Sequence, residues 1–291
     1  MTEGDYTDQQ RQWLREAKGN WDVFPASRVA EIEACSQQWR EQLRGVAKPW
    51  LCWNVDPDWC RVQQRLVKSV DWTPVVGGDP RSGEPPLEEG AVRVDFNAGF
   101  NYPIMHFLFP VEFSHLFCGR LAFWHSDLLV RQSVLQDLAE WFEALPDGHI
   151  SALDSRRPWY KRWYGKRDRF WELIGCTTAG ASRSQFEVGA GWWRNVWRHP
   201  NCPDSLRARL RRQYDYDHGG GILAWHEIHG GKVHPIDLKR VREGHCTRIG
   251  RKDYVPQSPQ DDRRDLSKDL SYNYDLETVC SQLGLRECYK N

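Results

Sequence analysis

The chain has 291 residues, enough for one full core with additions, and its 40% hydrophobic and 27% charged content is that of an ordinary globular protein. No run approaches the roughly 18 apolar residues of a membrane span, and the polar start MTEGDYTDQQRQ is unlike a secretion signal. The nine Cys are scattered with no CxxC pair, which excludes a zinc ribbon or a disulfide scaffold and implies reduced thiols in a cytoplasmic, intracellular protein.

A net charge of +0 hides an asymmetry: Arg156 to Arg212 carries 14 Lys or Arg against 4 Asp or Glu, so the rest of the chain is equally acidic. Such a block is a candidate surface for a polyanion, and equally a solvated face. The 16 Trp exceed the usual share, and aromatic faces suit both cores and stacking on sugars or bases.

In chain order, residues 1–47 read as a polar helical extension with an intermittent stripe of Trp13, Trp21, Ile32, Cys35 and Trp39, broken at Pro25. Trp50 to Val55 is the first strand, and it ends in a turn, Asp56-Pro57-Asp58. The loop after a first strand commonly receives a base or ribose in nucleotide-binding sheets, which makes Asn54, Asp56 and Asp58 binding candidates beside their turn role. Trp59 to Val70 has helical spacing, Trp72 to Val76 is a second strand, Arg81 to Gly90 a loop, and Val92 to Phe96 a further strand.

The central stretch is Leu121 to Val130, LAFWHSDLLV: an apolar run that breaks at His125-Ser126-Asp127. A strand that delivers an acid and an imidazole to its carboxyl end is a common way to build a site, and Asp is a hard ligand for Mg²⁺ or Mn²⁺. The alternative is that Asp127 caps a helix from Leu128 to Phe142. His149 to Leu153 and Trp171 to Thr178 are further strands, and the alternation from 50 to 153 predicts a mostly parallel α/β sheet.

Between those strands Arg156 to Arg167 interleaves cations with aromatics. Trp159, Lys161, Arg162, Trp163, Lys166 and Arg167 could track phosphates and stack on bases, or form an exposed helix with one buried face. Gly189-Ala190-Gly191 before Trp192-Trp193 permits close backbone approach to a ligand, or simply a tight turn. Leu206 to Tyr214 is a basic helix, Asp215-Tyr216-Asp217 follows, Ile222 to Ile228 is amphipathic, and Lys232 to Val241 reads as a strand leading to Glu243-Gly244-His245. His218, His226, His229 and His234 form no metal signature. After Ile249 the chain turns irregular until a last helix from Leu276 to Leu285.

The order of these pieces resembles the catalytic domain of a GT-A glycosyltransferase over roughly residues 50 to 249. The resemblance implies a Rossmann-type mixed sheet, mostly parallel and flanked by helices. It divides the chain into a helical extension (1–47), a catalytic domain (48–250) and a C-terminal extension packed on the core (251–291). It puts His125-Ser126-Asp127 at the DxD-type position, with His125 replacing the first acid, and makes Asp127 and His245 the ligands of Mn²⁺ or Mg²⁺. Gly189, Gly191, Trp192 and Trp193 become the acceptor-side loop. Asp217, with Asp215 second, becomes the base of an inverting enzyme; a retaining enzyme needs none.

The implied donor is a nucleotide-sugar, a UDP-sugar first, with no obligate protein partner. The basic aromatic block brings to mind the enzymes that glucosylate hydroxymethylpyrimidines in DNA, associated with base J and with bacteriophages, and hence an enzyme acting in a host cytoplasm. The other readings are the same fold acting on a glycan, lipid or small molecule, and a nucleic-acid-binding protein without enzymatic activity.

Overall fold

A computed structural model describes residues 29–78, 83–98, 107–155, 169–192, 196, 202–213, 219–245 and 276–290. Seven strands form its centre: β1 (Pro49–Asn54), β2 (Thr73–Gly78), β3 (Val92–Arg93), β4 (Arg120–Trp124), β5 (His149–Asp154), β6 (Phe170–Thr178) and β7 (Lys232–Asp237). Their order across the sheet is β3-β2-β1-β4-β6-β5-β7. The β1–β2, β2–β3, β1–β4 and β5–β7 pairs are parallel, while β6 runs antiparallel to both β4 and β5. The mixed, mostly parallel α/β sheet is therefore as the alternation predicts. The chain leaves β1 toward β2 on one side and pairs it with β4 on the other, so the strand order reverses between β1 and β4, and their carboxyl ends are the usual ligand position in such sheets.

Alternating side chains divide each buried strand between two apolar layers. On one face Leu51, Trp53, Leu121 and Phe123 meet an aromatic layer containing Trp39, Phe96, Phe109, Phe113, Phe117 and Trp192. On the other, Trp50, Cys52, Ala122 and Trp124 meet α2 (Pro57–Ser69), α4 (Gln132–Glu143) and α8 (Leu276–Leu283). Helix α1 (Val29–Gln42) joins the first layer through Ile32 and Trp39, both fully buried, and the Trp39 indole donates to the Asp95 carbonyl at 3.1 Å. Buried aromatic rings therefore account for many of the sixteen Trp.

The remaining helices are the short α3 (Leu108–Glu112), α5 (Ala179–Glu187), α6 (Asp204–Gln213), α7 (Gly220–His229) and α9 (Arg286–Lys290). The C-terminal pair returns to the core: α8 buries Val279, Cys280 and Leu283, and Arg65 of α2 donates to the Cys288 carbonyl at 2.9 Å while pairing with Glu88. The eight described cysteines are free thiols. Among the described residues no helix is long and apolar enough to cross a membrane.

Three local expectations are corrected. The helix expected from Leu128 starts instead at Gln132, and Leu128, Leu129 and Val130 form a buried extended segment. Asp127 is thus no helix cap; Arg131 holds that position without a capping bond, its guanidinium donating instead to Glu243. The strand expected to run to Val241 stops at Asp237, whose carboxylate accepts from the Lys239 amide at 2.9 Å and starts two 3₁₀ turns, Leu238–Arg240 and Arg242–Gly244. Finally, the strand expected from Val92 to Phe96 ends at Arg93.

Candidate metal centre

His125 and Asp127 leave the end of β4, and His245 follows the second 3₁₀ turn after β7. Two backbone devices bring them together across 118 positions. Leu128 forms an isolated antiparallel bridge with His245, and the Leu129 amide donates to the Gly244 carbonyl at 3.1 Å. Gly244 is needed there because a Cβ would lie 1.8 Å from the Leu129 carbonyl oxygen. From below, the fully buried Gln63 of α2 donates to the carbonyls of His125 (2.7 Å) and Leu128 (2.9 Å). One amide thus fixes both ends of the turn.

At the centre of the cluster Asp127 Oδ1 lies 3.4 Å from His125 Nδ1 and 3.5 Å from His245 Nε2. The three ligand atoms are within 4.8 Å of one another. Donors held about 2.1 Å from one metal lie roughly 3.0–3.5 Å apart at tetrahedral or octahedral angles, which is the spacing of Asp127 from each imidazole. Two imidazoles with one carboxylate suit Mn²⁺ better than Mg²⁺, which prefers all-oxygen shells. The side chains keep 20%, 14% and 13% exposure for His125, Asp127 and His245, while Asp127 Oδ1 itself is buried between the two rings.

A second carboxylate completes the charge balance. Glu172 Oε1 is 3.5 Å from His125 Nε2, and Glu172 is almost wholly buried. Burial alone lowers the imidazole's proton affinity, but Asp127 and Glu172 outweigh it and raise the His125 pKa to about 9. Burial likewise disfavours the Asp127 charge, and the neighbouring His125 and His245 overcome it, holding the carboxyl well below its usual range. Trp171 walls the site: its ring lies edge-on to His245 (5.1 Å between centroids) and to His125 (6.3 Å), with Arg169 over its face at 5.8 Å. Phe107 closes on His125 from the other side at 5.0 Å.

No protein-family model, curated protein or solved structure matches this chain. The reading of the site therefore rests on its geometry.

Of the other sequence candidates, Asn54 ends β1 fully buried, with neither amide atom hydrogen-bonded. Asp56 is occupied as the N-cap of α2, accepting from the Asp58 and Trp59 amides at 3.0 and 3.2 Å, and the exposed Asp58 faces Arg61 at 3.4 Å. Those two serve turn and helix chemistry. Gly189 adopts φ +66°, and a Cβ on Gly191 would sit 2.5 Å from the buried Glu112 carboxylate, so this loop approaches Glu112 closely. Trp192 is buried against Phe123 at 5.4 Å and acts as core.

Trp193, Asp215, Asp217, Trp159, Lys161, Arg162, Trp163, Lys166 and Arg167 lie outside the described residues. Sequence reasoning missed Glu172, Trp171 and Gln63. Two of the three carried a signal: a charged residue inside the apolar strand WELIGCTT, and a polar one among Val62, Leu66 and Val67 on a helix's apolar face.

Proposed function

We propose that this protein is a metal-dependent glycosyltransferase that moves a sugar from a nucleotide-sugar, a UDP-sugar first, to a hydroxyl acceptor, hydroxymethylpyrimidine in DNA being the best candidate. The observation that carries the reading is the convergence of His125, Asp127 and His245 at the carboxyl end of β4, where the strand order of the sheet reverses. A divalent ion bound there would neutralise the diphosphate leaving group, whose charge must be stabilised as the sugar's C–O bond breaks.

The protein's own contribution is positional. Asp127 would supply the anionic ligand and the two imidazoles would complete the protein's donor set, while Gln63 and Gly244 hold the two backbone segments in register. Trp171 and Phe107 narrow the approach and limit water around the cluster. The acceptor hydroxyl requires a base in an inverting reaction, a role proposed for Asp217 and next for Asp215. The DNA acceptor is supported by the excess of +10 between Arg156 and Arg212, for which a neutral glycan gives no reason.

The test is a panel of nucleotide-sugars read by thermal shift and by donor hydrolysis, with and without Mn²⁺. A true donor at 100 times its Kd should add about 2.7 kcal/mol of stability, and only with the metal present. Silence across the panel would reject the transferase. Duplexes with and without hydroxymethylpyrimidine, titrated at two salt concentrations, then test the acceptor. Binding should weaken steeply with salt, and alanine at Lys161, Arg162, Lys166 and Arg167 should flatten that slope without altering donor hydrolysis. Indifference to DNA with donor turnover intact would leave a glycan, lipid or small-molecule acceptor; salt-sensitive DNA binding with no donor response would leave a nucleic-acid-binding protein.

A further inference from the structure

Glu172 is the least expected residue of the site. It is a carboxylate at 2% exposure inside a strand that is otherwise apolar or hydroxylic, where an uncompensated charge would be strongly unfavourable. Its neighbour Trp171 reaches the same cluster, touching both imidazoles. Successive residues of a regular strand point to opposite faces, so the two should not share a target. The ladder explains how they do. Ala152 of β5 pairs with Gly175, but the next residue, Leu153, pairs with Trp171, so Glu172, Leu173 and Ile174 bulge out of the β5–β6 register. On the other side of β6 the β4 ladder ends at Trp124↔Ile174, after which the His125 amide donates to the Leu173 carbonyl at 2.9 Å. The bulge re-aims a side chain at a site, a recurrent use of such irregularities.

The re-aimed carboxylate faces a nitrogen of the His125 ring. His125 turns Nδ1 toward Asp127, 3.4 Å away, and Nε2 toward Glu172, 3.5 Å away, both close ion-pair contacts that stop short of formed hydrogen bonds. A metal-binding imidazole needs one nitrogen bare and gains from a carboxylate holding the proton on the other, which fixes the ring and raises its basicity. We infer that Glu172 is a positioning residue that holds the Nε2 proton of His125, so that His125 binds the metal through Nδ1. The inference rests on the metal reading of the site and is independent of whether a sugar is transferred.

The test uses the full chain loaded with Zn²⁺, which is diamagnetic. Long-range ¹H–¹⁵N spectra distinguish a protonated from a metal-bound ring nitrogen. His125 should show a metal-bound Nδ1 and a protonated Nε2, assigned by comparison with His125→Asn. Metal bound through Nε2 would overturn the inference outright. In parallel, Mn²⁺ titrations followed by the EPR signal of the free ion compare wild type with Glu172→Gln, an isosteric change that removes the charge. The variant should bind about 10- to 100-fold more weakly, while its metal-free unfolding midpoint stays close to wild type. Equal Mn²⁺ affinity in a folded variant would sink the role of Glu172 alone. Failure of the wild type to bind Mn²⁺ or Zn²⁺ at all would remove the metal reading, and this inference with it.

Discussion

Two pairs of histidines sit on this sheet and behave in opposite ways. At the amino-terminal ends of β5 and β7, His149 Nδ1 and His234 Nε2 are 2.8 Å apart, and the His234 carbonyl accepts from the Ser151 hydroxyl at 3.0 Å. In that contact one ring nitrogen donates and the other accepts. Burial, then the charge His149 could carry, lowers the His234 pKa. At the carboxyl-terminal edge His125 and His245 lie 5.8 Å apart by ring centroid, with Asp127 between them and Glu172 behind His125. There the carboxylates reverse the sign, and His125 is held up at about 9 although it too is largely buried. An imidazole's proton affinity is set by its neighbours, and among the described residues the edge with carboxylates is the one with a donor set for a divalent metal.

The sharpest way to break the comparison is to remove its central carboxylate. Asp127→Ala should abolish stabilisation by Mn²⁺ and donor together, a loss of about 2.7 kcal/mol at 100-fold saturating ligand, and donor hydrolysis with it. Thermal shift and product release measure both, and wild-type turnover in the variant would remove Asp127 from the site.

Next in size is the backbone contact that joins the two halves. Gly244→Ala places a Cβ against the Leu129 carbonyl, 1.8 Å away before relaxation. A cost of about 2 kcal/mol is expected from such overpacking, read by urea denaturation. Mn²⁺ affinity should fall as well, because His245 follows directly. A variant as stable as wild type would mean that the segments from 125 to 130 and from 241 to 245 move apart without cost.

The smallest effect is on pH dependence, and it tests the comparison itself in the metal-free protein. His125 binds its proton more tightly folded than unfolded, so it contributes stability below about 6.5 and gives that up as the pH rises through about 9. His234 has a depressed value, so it destabilises the fold as the pH falls below about 6.5. His125→Asn should therefore flatten the alkaline side of the stability profile, and His234→Asn the acid side. Denaturant midpoints from pH 5 to pH 9 would show it; the two variants altering the same limb would refute the assignment of opposite signs.

The sequence by itself determined most of the sheet. The apolar runs at Trp50, Leu121, His149 and Trp171 each became a strand, because a short run bounded by turn residues has few other ways to be buried. It also marked His125 and Asp127, since polar groups that interrupt such a run at its end have few neighbours of their own to satisfy them. It did not determine where α4 begins: Leu128 to Val130 are apolar enough for a helix, but pairing with the segment that ends at His245 holds them extended. Nor did it reveal Glu172 as part of the site. That follows from a register shift between β5 and β6, a property of two strands at once that neither strand's own alternation encodes. The proton balance of His125 was likewise decided only in three dimensions, because it depends on two carboxylates at 3.4 and 3.5 Å, one of them 47 residues along the chain.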